Sequence, residues 1–151
     1  MTSLHDSGIG ASRAPSRTHG IRRVRGLVGT GILATLAAMA STTLVAALAR
    51  ALGVDFRVPE GGETIPLPGI AVMTGILSLG GVGLAAALLR WSARPAERFT
   101  WTAVSLTAVS LLPPLLVGAG AATTVTLVLL HLVAAAVMIP TLARSLRTQA
   151  G

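Results

Sequence analysis

The chain contains no cysteine. Without thiols it can form no disulfide, no thiolate metal site, no covalent haem attachment and no dithiol redox centre. The sequence therefore excludes a thiol-based redox enzyme of the bilayer, and we expect neither a metal nor a cofactor.

Charged residues are scarce, at 11% of 151 residues, whereas a typical soluble domain has about 25%. Hydrophobic residues make up 52% and lie in long uninterrupted blocks instead of the short periodic stripes of a soluble helix. This pattern predicts an integral membrane protein, whose first partner is the lipid bilayer.

Catalytic motifs are also missing. The sequence has no G-x-S-x-G, no H-E-x-x-H and no Walker or Rossmann glycine pattern, and no acidic residue lies inside an apolar block. No nucleophile and base can be named, so an enzyme is the third of our hypotheses. Gly80, Gly81 and Gly83 lie inside an apolar block, and we interpret them as packing glycines.

Four apolar blocks are present, each long enough at about 1.5 Å per residue to cross a hydrocarbon core of roughly 30 Å. They predict an all-α fold, a four-helix transmembrane bundle with up-down-up-down topology, in the domain 21–147. Residues 1–20 lack a periodic apolar face and are predicted to be a disordered tail, and 148–151 form a C-terminal tail. The predicted spans are 26–49, 69–89, 99–117 and 125–143.

The arginines are distributed unequally between the predicted loops. All 12 basic residues are arginine, against 5 acidic residues, and only Arg50 and Arg57 fall on the second side of the bundle. By the positive-inside rule, both termini are cytoplasmic, in the plasma (inner) membrane. This topology explains the positive charge, and nucleic-acid binding is not indicated. The arginines of the first side are Arg13, Arg17, Arg22, Arg23, Arg25, Arg90, Arg94, Arg98, Arg144 and Arg147.

The first block also resembles a secretory signal, because Ala38-Met39-Ala40 follows a basic start like an A-x-A cleavage site. The block continues apolar to Ala49, beyond the usual signal length of about 7 to 15 residues. We therefore favour an uncleaved first helix.

The predicted outer loop, 50–68, has two interpretations. The segments VDFRV and TIPL flank the turn-like PEGGE, which is typical of a small β-hairpin. A plain exposed loop fits equally well. Asp55 and Arg57 would share a strand face and could pair with each other.

Small residues recur every four positions in the first block, as expected where helix backbones approach closely in lipid. The second block has Gly81 and Ala85 at the same spacing. The stripes predict a compact bundle, and they would also suit a contact between copies of the chain in a homo-oligomer. The first stripe is Thr30, Ala34, Ala38, Thr42 and Ala46.

One histidine, His131, lies in the otherwise apolar fourth block, about 9 Å from its outer end. Counting the same distance from the outer ends of the other three blocks leads to Ser110, Thr74 and Thr42. The sequence therefore predicts an intramembrane polar layer of these four residues.

A helix break is predicted at Pro113 and Pro114, because neither proline has an N–H for the carbonyls of Val109 and Ser110. An orphan carbonyl in lipid costs several kcal/mol. His131 could donate to such a carbonyl and act as a structural cap. Alternatively it is a ligand or proton site, the default hypothesis for an intramembrane ionisable residue; a metal site is the least favoured.

The segment VDFRVP, SLLPPLL at 110–116 and HLVAAAVMIPTLAR at 131–144 resemble an uncharacterised family of small four-helix membrane proteins of high-GC Gram-positive bacteria. The family is a domain of unknown function, and the resemblance covers roughly residues 22–147. It implies the four-span topology and no activity.

Two hypotheses of function remain ahead of the enzyme. The first is a non-enzymatic structural or interaction protein that self-associates or binds a partner subunit. The second is a small transporter or binding protein for a lipophilic or protonated ligand, which would use the polar layer around His131.

Overall fold

The computed structural model describes residues 17–56, 64–116 and 120–150, with side chains from Gly20 onward. Within these ranges every long regular element is an α-helix, as the sequence predicts. Thr64 is a single bridge residue. The helices are α1 (Arg17–Ala51), α2 (Leu67–Trp91), α3 (Pro95–Ser110), α4 (Leu112–Leu116) and α5 (Ala121–Ala150).

Four helical segments are long and apolar enough to cross a membrane, with α3 and α4 together forming the third. Helices α1, α2 and α5 extend past the predicted spans at both ends, whereas the third span, predicted at 99–117, starts earlier, at Pro95, and is described as far as Leu116. In particular, α1 begins at Arg17, inside the predicted tail, and α5 continues to Ala150. Residues 1–16 of the predicted tail lie outside the described residues.

Prolines mark the helix starts. Pro68 occupies the first turn of α2, and Pro95 is the first residue of α3. The first N–H groups of a helix have no partner within the helix, so proline there removes no hydrogen bond. Pro113 and Pro114 instead follow the end of α3 at Ser110, in the short α4.

The chain continues from α3 to α4 through Leu111, whose backbone stays in the right-handed helical region. The N–H of Leu111 donates to the Ala108 carbonyl at 3.3 Å and also to the Val109 carbonyl. The Val109 carbonyl, which Pro113 cannot serve, thus has the Leu111 N–H as a donor.

Helix α1 packs most extensively, against α2 and α5, while α3 packs on α5 and less on α2. Across the described residues no Cα atom of α1 lies within 8 Å of one in α3, whereas α2 and α5 approach each other this closely. Helices α1 and α3 therefore lie on opposite sides of the α2–α5 pair.

The small-residue stripe of α1 is buried, as its spacing predicts. Ala38 and Ala46 are fully buried, and Ala34 and Thr42 nearly so, whereas Thr30 is half-buried. In α2, Ala85 is fully buried. Small side chains let these helices approach closely.

The glycines at the closest approach of α1 and α2 are Gly31 and Gly75. A Cβ at Gly31 would lie 2.7 Å from Val82 Cγ atoms, and one at Gly75 would lie 3.0 Å from Met39 Sδ. The packing role predicted for the α2 glycines is wrong within this chain. A Cβ on any of them would meet nothing within 4 Å among the described residues, and these are Gly80, Gly81 and Gly83.

A further tie joins the start of α1 to the end of α5. In the amide orientation that satisfies both of its polar atoms, Gln149 donates to the Arg23 carbonyl and accepts from the Leu27 N–H at 2.9 Å. Gly26 makes room for it, because a Cβ there would lie 2.5 Å from that amide. Nearby, Leu27 packs in one buried cluster with Phe99 and Leu146.

The opposite end has its own buried cluster, in which Phe56 packs with Ala46, Ala49, Ile70 and Leu130. Phe56 is fully buried. Burying a side chain of this size stabilises a fold by about 1.5–3 kcal/mol. The segment after α1 is therefore anchored on the bundle.

Backbone and side-chain bonds hold this anchored segment. The Ile65 N–H donates to the Phe56 carbonyl at 3.0 Å, and Thr123 Oγ1 donates to the Asp55 carbonyl at 2.8 Å. Gly53 supplies the turn after α1 with a φ of 87°, a conformation that favours glycine. Residues 57–63, which include Arg57 and the centre of the predicted hairpin, lie outside the described residues.

Arg50 completes the anchor from the last turn of α1. Its Nη2 donates to the Ile65 carbonyl at 2.7 Å, and its guanidinium carbon lies 5.9 Å from the centre of the Phe56 ring. This distance is within the range of a cation–π interaction.

Candidate functional site

Two members of the predicted polar layer meet between α1 and α2. Thr42 Oγ1 lies 3.3 Å from Thr74 Oγ1, and it also contacts the Ala38 carbonyl at 2.9 Å. Thr42 is 1% exposed. Thr74 is half-buried, so the pair is a part-buried hydrogen bond between two helices.

His131 is half-buried in α5 and bonds within its own helix. Its Nδ1 lies 2.8 Å from the Leu127 carbonyl. A carbonyl only accepts, so Nδ1 carries the hydrogen in this arrangement. Nε2 makes no hydrogen bond to any residue that the structure describes.

Ser110 likewise bonds locally, because its Oγ donates to the Thr107 carbonyl of α3 at 2.8 Å. The structure thus joins Thr42 with Thr74, and it leaves Ser110 and His131 each bonded to a carbonyl of its own helix. The predicted bond from His131 to a carbonyl of the third helix is not among those formed by the described residues.

The topology arginines differ from Arg50 in their surroundings. All eight are exposed, and Arg94 pairs with Glu97 at 3.5 Å across one turn of α3. The Gln149 tie and the Leu27–Phe99–Leu146 cluster bring the loop ends that carry them to one end of the molecule. These arginines are Arg22, Arg23, Arg25, Arg90, Arg94, Arg98, Arg144 and Arg147.

A groove of about 660 Å³ opens at this arginine end, between the start of α3 and the end of α5. Arg94 and Glu97 lie on one wall, Arg147 lies on the other, and Trp101 lines the groove toward the bundle. We call it the cationic groove. Because Pro95 begins α3, the first free N–H groups of that helix belong to residues that line this groove.

A second groove of about 510 Å³ lies farther along the same two helices. Val104, Ala108 and Leu111 of α3 line it with Leu132 and Ala136 of α5. Its lining is almost entirely apolar, and we call it the apolar groove. Neither groove is lined by His131, Thr42 or Thr74.

Sequence reasoning missed both grooves. It assigned Arg94 and Arg147 to topology alone. The signal that could have found the grooves is the spacing of Trp101, Val104 and Ala108, which lie three and four residues apart and so share one face of α3.

In the described part of the chain, no group of three His, Asp or Glu side chains is placed to hold a metal ion.

No curated protein and no solved structure matches the sequence. Residues 22–148 match the family described as "Family of unknown function (DUF6069)", in agreement with the expected resemblance, whose restriction to high-GC Gram-positive bacteria stays a prediction. Since the match covers most of the 151 residues, the chain belongs to that family.

Proposed function

We propose that this protein is a non-enzymatic, multi-pass protein of the plasma (inner) membrane that acts by associating with a second copy of itself through the outer face of α3. The observation that carries the proposal is the uneven burial of α3. Its buried residues, Pro95 and Phe99, both lie in its first turns. Beyond them, every residue of α3 is half-buried or exposed.

The chemistry of this outer face favours another helix over lipid. Thr102, Ser105 and Val109 are exposed and lie three and four residues apart on one face of α3. The Thr102 and Ser105 hydroxyls bond to no other side chain in the described ranges. In lipid, helices associate through close packing at small residues and through hydrogen bonds between hydroxyls, and a second α3 would supply both.

The proposed topology is up-down-up-down with both termini cytoplasmic. Contacts between residues far apart in the chain support alternating helix directions, since Gly31 faces Val82 while Thr42 faces Thr74. The contact of Gly26 with Gln149 supports the same for α1 and α5. The exposed arginines at one end support the orientation.

Cysteine cross-linking tests the association directly, because the natural chain contributes no background thiol. A Ser105→Cys variant is expected to form a disulfide-linked dimer in oxidised membranes. The matched control is Leu33→Cys, on the exposed side of α1, which should stay monomeric. A cross-linked band of another mass would indicate a partner subunit instead, and a monomeric Ser105→Cys protein would contradict the proposed interface.

Labelling with a membrane-impermeant maleimide tests the orientation. Thr64→Cys, before α2, should react in intact cells, whereas Ser92→Cys, after α2, should react only after the membrane is opened. The reverse pattern would place the termini outside.

A second candidate function is binding of a lipophilic or protonated ligand at the layer of His131, Ser110, Thr74 and Thr42. The free Nε2 of His131 favours it, because the ring keeps one acceptor that the described residues leave unused. A photoreactive lipophilic amine should then label α5, and His131→Leu should abolish the labelling. Unchanged labelling in that variant would exclude the layer.

A further inference from the structure

The cationic groove and the apolar groove are parts of one seam between α3 and α5. The cationic groove uses α3 from Arg94 to Trp101 and α5 from Arg147 to Ala150. The apolar groove uses the next turns of α3, from Val104 to Leu111, and the preceding turns of α5. The two grooves therefore follow each other along the same pair of helices.

Helical spacing places both grooves on the same side of that seam. On α3, Trp101 is followed by Val104, Ala108 and Leu111, each three or four residues after the last. Residues at this spacing lie above one another on a helix. The two grooves thus lie in line along α3, and we call the pair the trough, with the cationic groove as its mouth and the apolar groove as its floor.

The length of the trough matches one leaflet of a bilayer. Trp101 is 69% exposed, and tryptophan prefers the membrane–water interface. Leu111 lies ten residues farther along, about 15 Å at the helical rise. This is half of a hydrocarbon core of roughly 30 Å, so the apolar groove reaches the middle of the bilayer.

The mouth of the trough is complementary to an anion. The groove is lined by two arginines, Arg94 and Arg147, and by one carboxylate residue, Glu97. Arg94 already pairs with Glu97 at 3.5 Å, whereas Arg147 makes no ion pair in the part of the chain that is described. The start of α3 adds free N–H groups, which favour anions.

We propose that the α3–α5 seam binds an anionic phospholipid, with its phosphate between Arg94 and Arg147 and one acyl chain in the apolar groove. This inference rests on the proposed membrane location of the protein and is independent of the proposed α3 dimer. The two surfaces adjoin on α3, because Ser105 lies one turn after Trp101, and the lipid test below uses neither Ser105 nor Thr102.

The two tryptophans provide the test, because Trp101 lines the cationic groove and Trp91 does not. A Trp91→Phe variant, which keeps Trp101 as its one tryptophan, is reconstituted into phosphatidylcholine vesicles. A minor fraction of the lipid carries a brominated acyl chain that quenches nearby tryptophan, either as phosphatidylglycerol or as phosphatidylcholine. We expect brominated phosphatidylglycerol to quench Trp101 more, with a preference of roughly fivefold for each arginine that contacts the headgroup.

Matched variants separate the groove from the general positive charge. Arg94→Gln with Arg147→Gln should abolish the preference. Arg90→Gln with Arg98→Gln removes the same charge from exposed positions outside the groove and should keep it. A Trp101→Phe protein, which reports from Trp91, should show little preference for either lipid. Equal loss in the two arginine pairs would overturn the proposed site.

Soluble anions distinguish the lipid from free phosphate. Inorganic phosphate at millimolar concentration, at constant ionic strength, should leave the quenching preference unchanged. If phosphate abolishes the preference, the groove is a site for free anions instead. Vesicle flotation tests the proposed membrane location separately from the proposed phospholipid site. A protein that fails to float contradicts the membrane location, whereas a protein that floats without any lipid preference contradicts only the phospholipid site.

Discussion

Helices α1 and α3 differ in how much of their length is buried in the bundle. In α1, buried residues recur along the whole helix, from Leu27 to Ala49. In α3 they stop after Phe99. Both helices mix small, hydroxyl and large apolar residues, so composition does not separate them. What separates them is spacing, since α1 repeats small residues every four positions and α3 does not.

The comparison explains why α1 is central and α3 peripheral. Without water, the hydrophobic effect does not drive helices together, and association depends on close contact and hydrogen bonds. Gly31 and Gly75 bring α1 and α2 into such contact, and Thr42 adds a bond to Thr74 at 3.3 Å. Helix α3 is held at its start and leaves two grooves beside α5.

The largest effect is expected from overpacking the α1 stripe. Ala38 is fully buried, so Ala38→Leu should destabilise the protein by about 3 kcal/mol, because three extra carbon atoms must displace neighbouring helices. Ala108→Leu, on the exposed face of α3 that borders the apolar groove, should be nearly neutral. Thermal unfolding in detergent compares the two, and equal destabilisation would show that α3 is packed as tightly as α1.

The next largest loss of stability is expected from replacing Arg50 at the end of α1. Arg50→Gln removes the bond to the Ile65 carbonyl at 2.7 Å and the contact with Phe56. Hydrogen bonds from a charged donor contribute about 2 kcal/mol, so the unfolding free energy should fall by about that amount. Arg90→Gln is the control, because Arg90 is exposed at the end of α2 and its loss should change little.

A smaller effect distinguishes a bond between helices from a bond within one. Thr42→Val removes the hydroxyl that meets Thr74, and bonds of this kind in membranes average about 0.6 kcal/mol. Thr107→Val on α3 removes only a bond to the Ala103 carbonyl of the same helix and should cost less. A chemical unfolding titration in mixed micelles resolves the pair, and a larger loss from Thr107→Val would contradict the ranking of the two helices.

Hydropathy predicted the positions of the helices well, and their ends less well. The first, second and fourth apolar blocks fall inside the helices, because a span must be apolar over the thickness of the core. Hydropathy does not predict where a helix ends when the helix continues beyond the hydrocarbon core of the membrane. Leu142 and Leu146, four residues apart, pack against Leu27, and this amphipathic repeat carries α5 to Ala150.

Counting residues from the predicted membrane surface gives depth and no rotation about the helix axis. Depth placed Thr42 and Thr74 at one level, and they meet because both also face the α1–α2 contact. His131 has the same predicted depth, but its Nδ1 bonds to the Leu127 carbonyl one turn earlier in its own helix. A sequence lists the residues of a layer without showing which of them turn toward each other.

The smallest effect is expected at His131, and it separates the structural hypothesis from the ligand hypothesis. A cap that crosses to another helix would make His131→Leu costly, by about 1–3 kcal/mol, because its partner would lose a buried bond. The observed bond stays within α5, at 2.8 Å to a carbonyl that already belongs to the helix. We therefore expect both His131→Gln and His131→Leu to unfold within about 0.5 kcal/mol of the natural protein, below the average for a bond between helices. Thermal unfolding of the three proteins in one detergent measures this. If only His131→Leu is destabilised by the larger amount, the histidine holds the bundle together through Nε2. If neither variant is destabilised, the stability of the protein does not explain why a polar ring lies at this position. The ligand hypothesis is then the one to test by labelling.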